Sequence, residues 1–370
     1  MKTYRIALIP GDGIGPEVIA QGMRALEATA ALDRGFRFLW ESFSWSCSEY
    51  LHTGRMMPKD GLEQLRNFDA IYFGAVGAPS VPDHISVWEL ILPIRQQFEQ
   101  YINLRPARKL MGVQGPLVRQ DAIDFVVVRE NTEGEYANIG GLLHEGLPEE
   151  LAVQTSVFTK AGITRAARYA FEVAQSRHHR LTVATKSNAM NYAMPFWDRV
   201  IRELSSEYPD VTVDLYHVDA LATYFVARPH TLDVVLASNL FGDILTDLGA
   251  AVVGGLGLAP SANINPTRHF PSMFEPVHGS APDIAGKGIA NPLAAIWSGV
   301  LMLEFLGENS AAARLMTAVE QVLAAGKTRT PDLGGSDSTE AMGTAVIQAL
   351  TSLYDEGDSK TGLYAGGVVS

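Results

Sequence analysis

The chain has 370 residues, 47% of them hydrophobic and 19% charged, and carries a net charge of −12. That composition can bury a sizeable core in two domains or one large α/β unit, and so acidic a surface excludes general nucleic-acid binding, which needs a basic footprint. A single cysteine, Cys47, excludes an intrachain disulfide. No apolar run approaches the roughly 18 residues of a membrane span, and no signal-peptide hydrophobic region follows MKTYRIALIPGDG, so the expectation is a soluble cytoplasmic protein.

From the N-terminus, YRIALIP (4–10) reads as a short apolar strand, GDGIG as a turn, and the next stretch as a helix beginning near Pro16. The glycines are spaced Gly11-x-Gly13-x-Gly15 rather than G-x-G-x-x-G. The ribose-binding acid of a dinucleotide fold is also missing, because Asp33 falls between a helix and the next strand. Two readings stay open: a cofactor turn, or a tight turn in which glycine permits positive φ. Trp45-Ser46-Cys47 suggests a buried structural thiol. FDAIYFGAVG (68–77) is a second buried strand.

DFVVVREN (124–131), LTVATKSN (181–188), VTVDLYHVD (211–219) and LDVVLASN (232–239) repeat one plan. Each is an apolar β-rich run with polar residues at its C-terminal end, and the plan predicts an α/β sheet whose ligands bind beyond those ends. Arg129, Lys186, Asp219 and Asn239 occupy such positions. The segment 355–370 lacks periodicity and reads as a loose tail or surface arm.

SNLFGDILTDLGAA (238–251) has a helical apolar pattern, with Asp243 and Asp247 four residues apart on one face. Two like charges there repel, and a hard divalent cation relieves them; solvated acids near a helix N-terminus are the other reading. Asp219 supplies a third carboxylate. Arg95 and Arg105 stand ten apart in LPIRQQFEQYINLRP, and Arg129 adds a third guanidinium suited to a dicarboxylate. Tyr136, in a Gly-containing loop after Glu130 to Glu135, and Lys186 are proton-transfer candidates, or else a packed aromatic and a solvated strand-end charge.

The stretches GDGIGPEV, INLRP, VVVRENTEGEY, NLFGDILTDLG and FEPVHGSAPDIAGKGIANP occur in the order that marks the β-decarboxylating dehydrogenases of 2-hydroxy acids. The chain resembles this family, which includes isopropylmalate, isocitrate, homoisocitrate and tartrate/D-malate dehydrogenases, from about residue 4 to about residue 353. The resemblance implies a two-domain α/β fold distinct from the Rossmann fold, with the active site in the interdomain cleft. The large cofactor-binding domain would be discontinuous, 1–99 with 256–370. A small domain, 100–255, would carry metal and substrate ligands and the dimer contact.

Carried over residue by residue, the resemblance implies that Arg95, Arg105 and Arg129 bind substrate carboxylates, and that Asp219, Asp243 and Asp247 hold Mg²⁺ or Mn²⁺. Tyr136 would be the general acid and Lys186 the base or proton relay, with Lys186 and Asp219 reaching the site from the neighbouring subunit of a homodimer. In HGSAPDIAGKGIAN (278–291), the residues His278, Gly279, Ser280, Ala281, Asp283, Ile284 and Asn291 would form an adenosine pocket. Asp283 would accept from the ribose hydroxyls and favour NAD over NADP, and Asn291 would meet the adenine edge. K⁺ is a further candidate ion.

The segment before Arg95 carries the specificity. Trp88 stands where isopropylmalate enzymes have Glu, and VPDHISVWELILPIRQQFEQYINLRP with FSWSCSEYLHTGRMMPKDGL (43–62) looks most like the tartrate/D-malate branch. A bulky Trp88 would shrink the pocket toward a small C3 group; Glu89 departs from the Gly of that branch. The implied activity is NAD- and metal-dependent oxidation of D-malate or tartrate isomers, decarboxylating D-malate to pyruvate and CO₂. A 3-isopropylmalate dehydrogenase is the near rival. A catalytically silent regulatory subunit is a rival of another class, although Tyr136, Lys186, Asp219, Asp243 and Asp247 are all present.

Overall fold

The computed structural model describes residues 1–118 and 122–355; the tail expected over 355–370 lies, but for its first residue, outside them. Twelve strands are formed among the described residues: β1 (Lys2–Gly11), β2 (Phe36–Ser42), β3 (Ala70–Ala75), β4 (Ile102–Arg108), β5 (Asp124–Glu130), β6 (Gly134–Leu143), β7 (Leu151–Val157), β8 (Arg180–Thr185), β9 (Thr212–His217), β10 (Val234–Ala237), β11 (Pro260–Ile264) and β12 (Ser272–Pro276). Ten make one continuous sheet in the order β2-β1-β3-β12-β11-β4-β5-β10-β8-β9, while β6 and β7 pair as a separate antiparallel hairpin.

The outer parts of the large sheet are parallel and its middle is antiparallel, at β12–β11, β11–β4 and β4–β5. The inner parallel strands β3 and β10 are buried along their whole length because helices cover both faces, while the edge strands β2 and β9 carry polar, partly exposed residues. In β1, Ile6 and Leu8 enter one core cluster, and Ala7 and Ile9 enter another on the opposite face. Likewise Val126 and Val128 of β5 face one cluster, and Phe125 and Val127 a third, with Phe225 and Leu245. Period-two alternation thus feeds two buried layers rather than a buried and a wet one. The segments 1–99 and 256–355 contribute β2, β1, β3, β12 and β11, and 100–255 contributes the other five, so the sheet changes from one to the other at the β11–β4 pairing.

A buried polar network lies at that seam. Asn103 Nδ2 donates to Ser261 Oγ (2.8 Å) and Asn263 Oδ1 (3.0 Å), Asn131 Nδ2 donates to Asn263 Oδ1 (3.0 Å), and Asn263 Nδ2 donates to Glu275 Oε1 (2.7 Å). Buried amides are tolerated only when bonded this way, and these bonds fix the register of strands that meet across the seam.

Three sequence expectations shift. The third acid, Asp219, does not end a strand: β9 stops at His217, and Asp219 lies in the first turn of the helix Val218–Ala227. Tyr136 is on β6 rather than in a loop, and Asp33 is the last residue of the helix Gly15–Asp33. Tyr136 and Asp33 are taken up because hydrogen bonding extends a strand and a helix over them, whereas β9 ends early because the next helix begins at Val218. No helix of the described residues is long and apolar enough to cross a membrane.

Candidate active site

The helix Asn239–Val253 begins directly after β10 and ends where Gly254 and Gly255 take positive φ. Gly242 is required in its first turn: a Cβ there would stand 2.6 Å from Cγ and 2.7 Å from Cβ of Arg129. That close approach lays the buried Arg129 along the helix, where its Nε and Nη2 donate to Asn239 Oδ1 (3.0 and 2.7 Å) and its Nη1 to Asp243.

Arg105 reaches the same helix from β4, donating to Thr246 Oγ1 at 2.6 Å and lying 3.6 Å from Asp243 and 3.8 Å from Asp247. Arg95 comes from the helix Leu92–Gln97 and pairs with Glu275 of β12 at 2.7 Å. Tyr136 completes the group, its hydroxyl donating to Asp243 Oδ2 at 3.3 Å. The three arginines and two of the three expected metal acids therefore converge.

Burial lowers the Arg105 guanidinium to about 10, with Arg129 adding to the effect. Burial also pushes the Asp243 carboxyl up, but Arg129, Arg105 and Arg95 together outweigh it and hold Asp243 below the usual carboxylate range. Asp247, in contrast, is raised by burial and by Asp243 despite Arg105. The Tyr136 phenol is raised by burial and by Asp243, so it remains protonated at neutral pH.

Lys186 and Asp219 stand apart from this cluster. Lys186 follows β8 by one residue and its Nζ donates to Asp219 Oδ1 at 2.6 Å; no hydrogen bond or ion pair joins either to Asp243, Asp247 or the three arginines. The Lys186 bond holds the Asp219 carboxyl below its ordinary value. Among the described residues no three acids, cysteines or histidines cluster as a metal site, so one copy of the chain does not gather the expected Asp219, Asp243 and Asp247.

Trp88 is half-buried in a wide helical turn, Val87–Ile91, where the Leu92 N–H reaches back to Val87 O; Glu89 is exposed. The extra residue in such a turn changes the angular phase between Trp88 and Arg95 from that of a continuous α-helix, and no sequence pattern announced it.

The loop 278–291 follows β12. His278 is half-buried, its Nε2 has no partner, and burial lowers its pKa. Gly279 and Asp283 are exposed, Ala281 and Ile284 are half-buried, and Ser280 and Asn291 are buried. The GDGIG turn buttresses this loop: Ile14 N–H donates to Ser280 O at 2.8 Å, and a Cβ on Gly13 would lie 1.9 Å from that oxygen. Gly11 and Gly13 do have positive φ, as a tight turn requires. Asn291 is tied at both ends of its amide, to Asp332 and to the Leu293 N–H.

Sequence reasoning passed over Glu275, Thr246 and Asp332. Glu275 had a signal, an acid inside the otherwise apolar strand SMFEP. Asp332 had none, because its partner Asn291 is distant in the chain.

Residues 5–346 match the family model described as isocitrate/isopropylmalate dehydrogenase. The chain is 53% identical over 353 residues to a probable tartrate dehydrogenase/decarboxylase of Agrobacterium vitis, covering 95% of this chain and 98% of that one. It is also 53% identical over 360 residues to the decarboxylating D-malate dehydrogenase of Escherichia coli K12, covering 95% and 99%. The crystal structure of isocitrate dehydrogenase from Methylococcus capsulatus superposes with a TM-score of 0.85 at 36% identity, covering 94% of this chain and 99% of that one. The chain therefore belongs to the isocitrate/isopropylmalate dehydrogenase family and is an oxidoreductase of its decarboxylating hydroxy-acid type.

Proposed function

We propose that the protein oxidises D-malate with NAD, releasing pyruvate and CO₂, and also accepts tartrate isomers, in a homodimer that requires Mg²⁺ or Mn²⁺. The observation that carries this reading is the convergence of Arg105 and Arg129 on Asp243 and Asp247, with Arg95 held by Glu275 near enough to act on Asp243. Three guanidiniums meet three carboxylates, Glu275 included, so the chain's own charges cancel. A divalent cation then leaves two positive charges, which a dicarboxylate neutralises. Buried Nε atoms of Arg95 and Arg105 that lack an acceptor suit carboxylate oxygens. The names of the relatives, a tartrate and a D-malate decarboxylating enzyme, favour a small C3 substituent, as does the bulk of Trp88.

The residues present fit a hard cation. Asp243 and Asp247 lie one turn apart, and a cation there would offset both the burial that raises the Asp247 carboxyl and the smaller repulsion from Asp243. The metal would be held by Asp243 and Asp247 with Asp219 of the partner subunit, and bound there it supplies Lewis acidity to the substrate's oxygens. The loop 278–291 fits the adenosine end of NAD, with the partnerless Nε2 of His278 as a polar contact and NAD supplying the hydride acceptor.

The three arginines fix both substrate carboxylates. Lys186 of the partner subunit takes the C2 hydroxyl proton as hydride leaves C2 for NAD, and the C3–carboxylate bond then breaks with loss of CO₂. The protonated phenol of Tyr136 delivers the proton that C3 requires. Dimerisation is supported by the hairpin β6–β7, whose Ile139, Leu142, Leu143, Leu151 and Val153 are exposed aliphatic side chains on a two-stranded ribbon.

NADH production is to be measured across D-malate, L- and meso-tartrate and 3-isopropylmalate, with and without Mn²⁺ and K⁺. D-malate or a tartrate should be the best substrate, and chelation should abolish turnover. A protein that prefers 3-isopropylmalate, or that turns over fully in chelator, refutes the reading.

A further inference from the structure

Two segments distant in sequence close on the loop 278–291. One is the GDGIG turn; the other is 329–339, for which sequence patterns implied nothing. Asp332 Oδ2 accepts from Asn291 Nδ2 at 2.9 Å and Asp332 Oδ1 accepts from Thr330 Oγ1 at 2.5 Å. Thr339 adds two bonds to the loop, from its N–H to Gly288 O (2.8 Å) and from its hydroxyl to Ala290 O (2.6 Å). The segment is itself braced, since Arg329 N–H donates to Asp337 Oδ2 (2.7 Å) and Asp337 N–H to Arg329 O (2.9 Å). Asp332 also acts electrostatically on His278, the first residue of the loop.

An amide side chain can present either its oxygen or its nitrogen, and only its partners decide which. Asn291 Oδ1 accepts from the Leu293 N–H at 3.0 Å, which sets which end of the amide faces Asp332, and the bond to Asp332 holds Nδ2 in that place while engaging one of its two hydrogens. We propose that Asp332 is a positioning residue for the dinucleotide: by holding the Asn291 amide and anchoring 329–339 to the loop, it presents Asn291 to the adenosine end of NAD. This rests on the reading of 278–291 as the cofactor loop.

Gly257 offers an independent handle on the same node. A Cβ there would stand 2.5 Å from Asp332 Oδ2 and 3.1 Å from Asn291 Cβ. The carboxylate is the far end of a side chain and Asn291 Nδ2 would stand 3.2 Å from the same Cβ, so Gly257→Ala disturbs the Asp332–Asn291 bond from both sides without changing charge.

The test measures NAD dissociation by fluorescence titration, together with the KM for NAD, the KM for D-malate and kcat, on the full-length protein with Mn²⁺. Asp332 is exposed, so solvent screens its charge, and the loss for Asp332→Ala is about fivefold to tenfold in NAD affinity and KM, the range of an ordinary hydrogen bond rather than of a fully buried charged one. Gly257→Ala should move the same two quantities, while kcat and the KM for D-malate stay within about twofold for both variants. Asp332→Asn keeps an oxygen acceptor for Asn291 and should restore near-wild-type affinity. Unchanged NAD binding in Asp332→Ala or Gly257→Ala overturns the proposal, as does a KM for D-malate that rises in step. Should Asp332→Ala fail to fold, Gly257→Ala carries the test. A wild-type protein that binds no NAD overturns the loop reading and the proposal with it, and is seen before any variant is made.

Discussion

Single side chains in this protein are governed by what they face. Arg95, Arg105 and Arg129 are nearly as buried as core leucines, and each is tolerated there because an acid or amide meets it. Removing a partner is then costly. Asp243→Ala or Asp247→Ala should abolish metal-dependent turnover, a loss of about a thousandfold or more, while circular dichroism reports a folded chain. Retained turnover would remove these acids from the metal site. Cys47 is the opposite case: burial, with Asp12 nearby, pushes its thiol up to about 12, so at pH 8 it is protonated and withdrawn from solvent. Iodoacetamide should leave the native protein unmodified by mass spectrometry and alkylate one site after unfolding.

At the scale of elements, the informative contacts run between a turn and a loop or between two strands. Gly13 is where the N-terminal turn meets the backbone of Ser280, at a distance that admits no Cβ. Gly13→Ala must move the 278–284 loop or the turn, and it also forces alanine into positive φ. The expected result is a loss of about 1–3 kcal/mol in unfolding free energy with a raised KM for NAD. Unaltered stability and NAD kinetics would mean that the turn does not set the loop. GDGIG thus buttresses the loop 278–284 through Ile14 and Gly13.

On the scale of the whole molecule, one continuous sheet joins the segments expected as two domains, with the arginines reaching the site from either side of the β11–β4 seam. Lys186 and Asp219 remain paired with each other at a distance from Asp243. The proposed dimer accounts for that separation, and it makes activity depend on association. Charging two exposed hairpin residues, Ile139→Asp with Leu151→Asp, should give monomers by light scattering and lower turnover in proportion to the monomer fraction. Full activity in a monomeric variant would contradict the shared site.

The strands at 4–10, 68–77, 124–131, 181–188 and 232–239 and the helix bearing Asp243 and Asp247 were legible in the sequence, because apolar periodicity reports which faces are buried. The unbroken motifs likewise carried the family. Tertiary structure alone decided the rest. It decided that Glu275 holds Arg95, that Gly242 admits Arg129, that Asp332 holds Asn291, and that Asp219 lies away from its expected companions. These are contacts between residues far apart in the chain, made through side-chain reach and backbone proximity. Local pattern records burial and turn geometry, but it holds no information about which distant partner arrives.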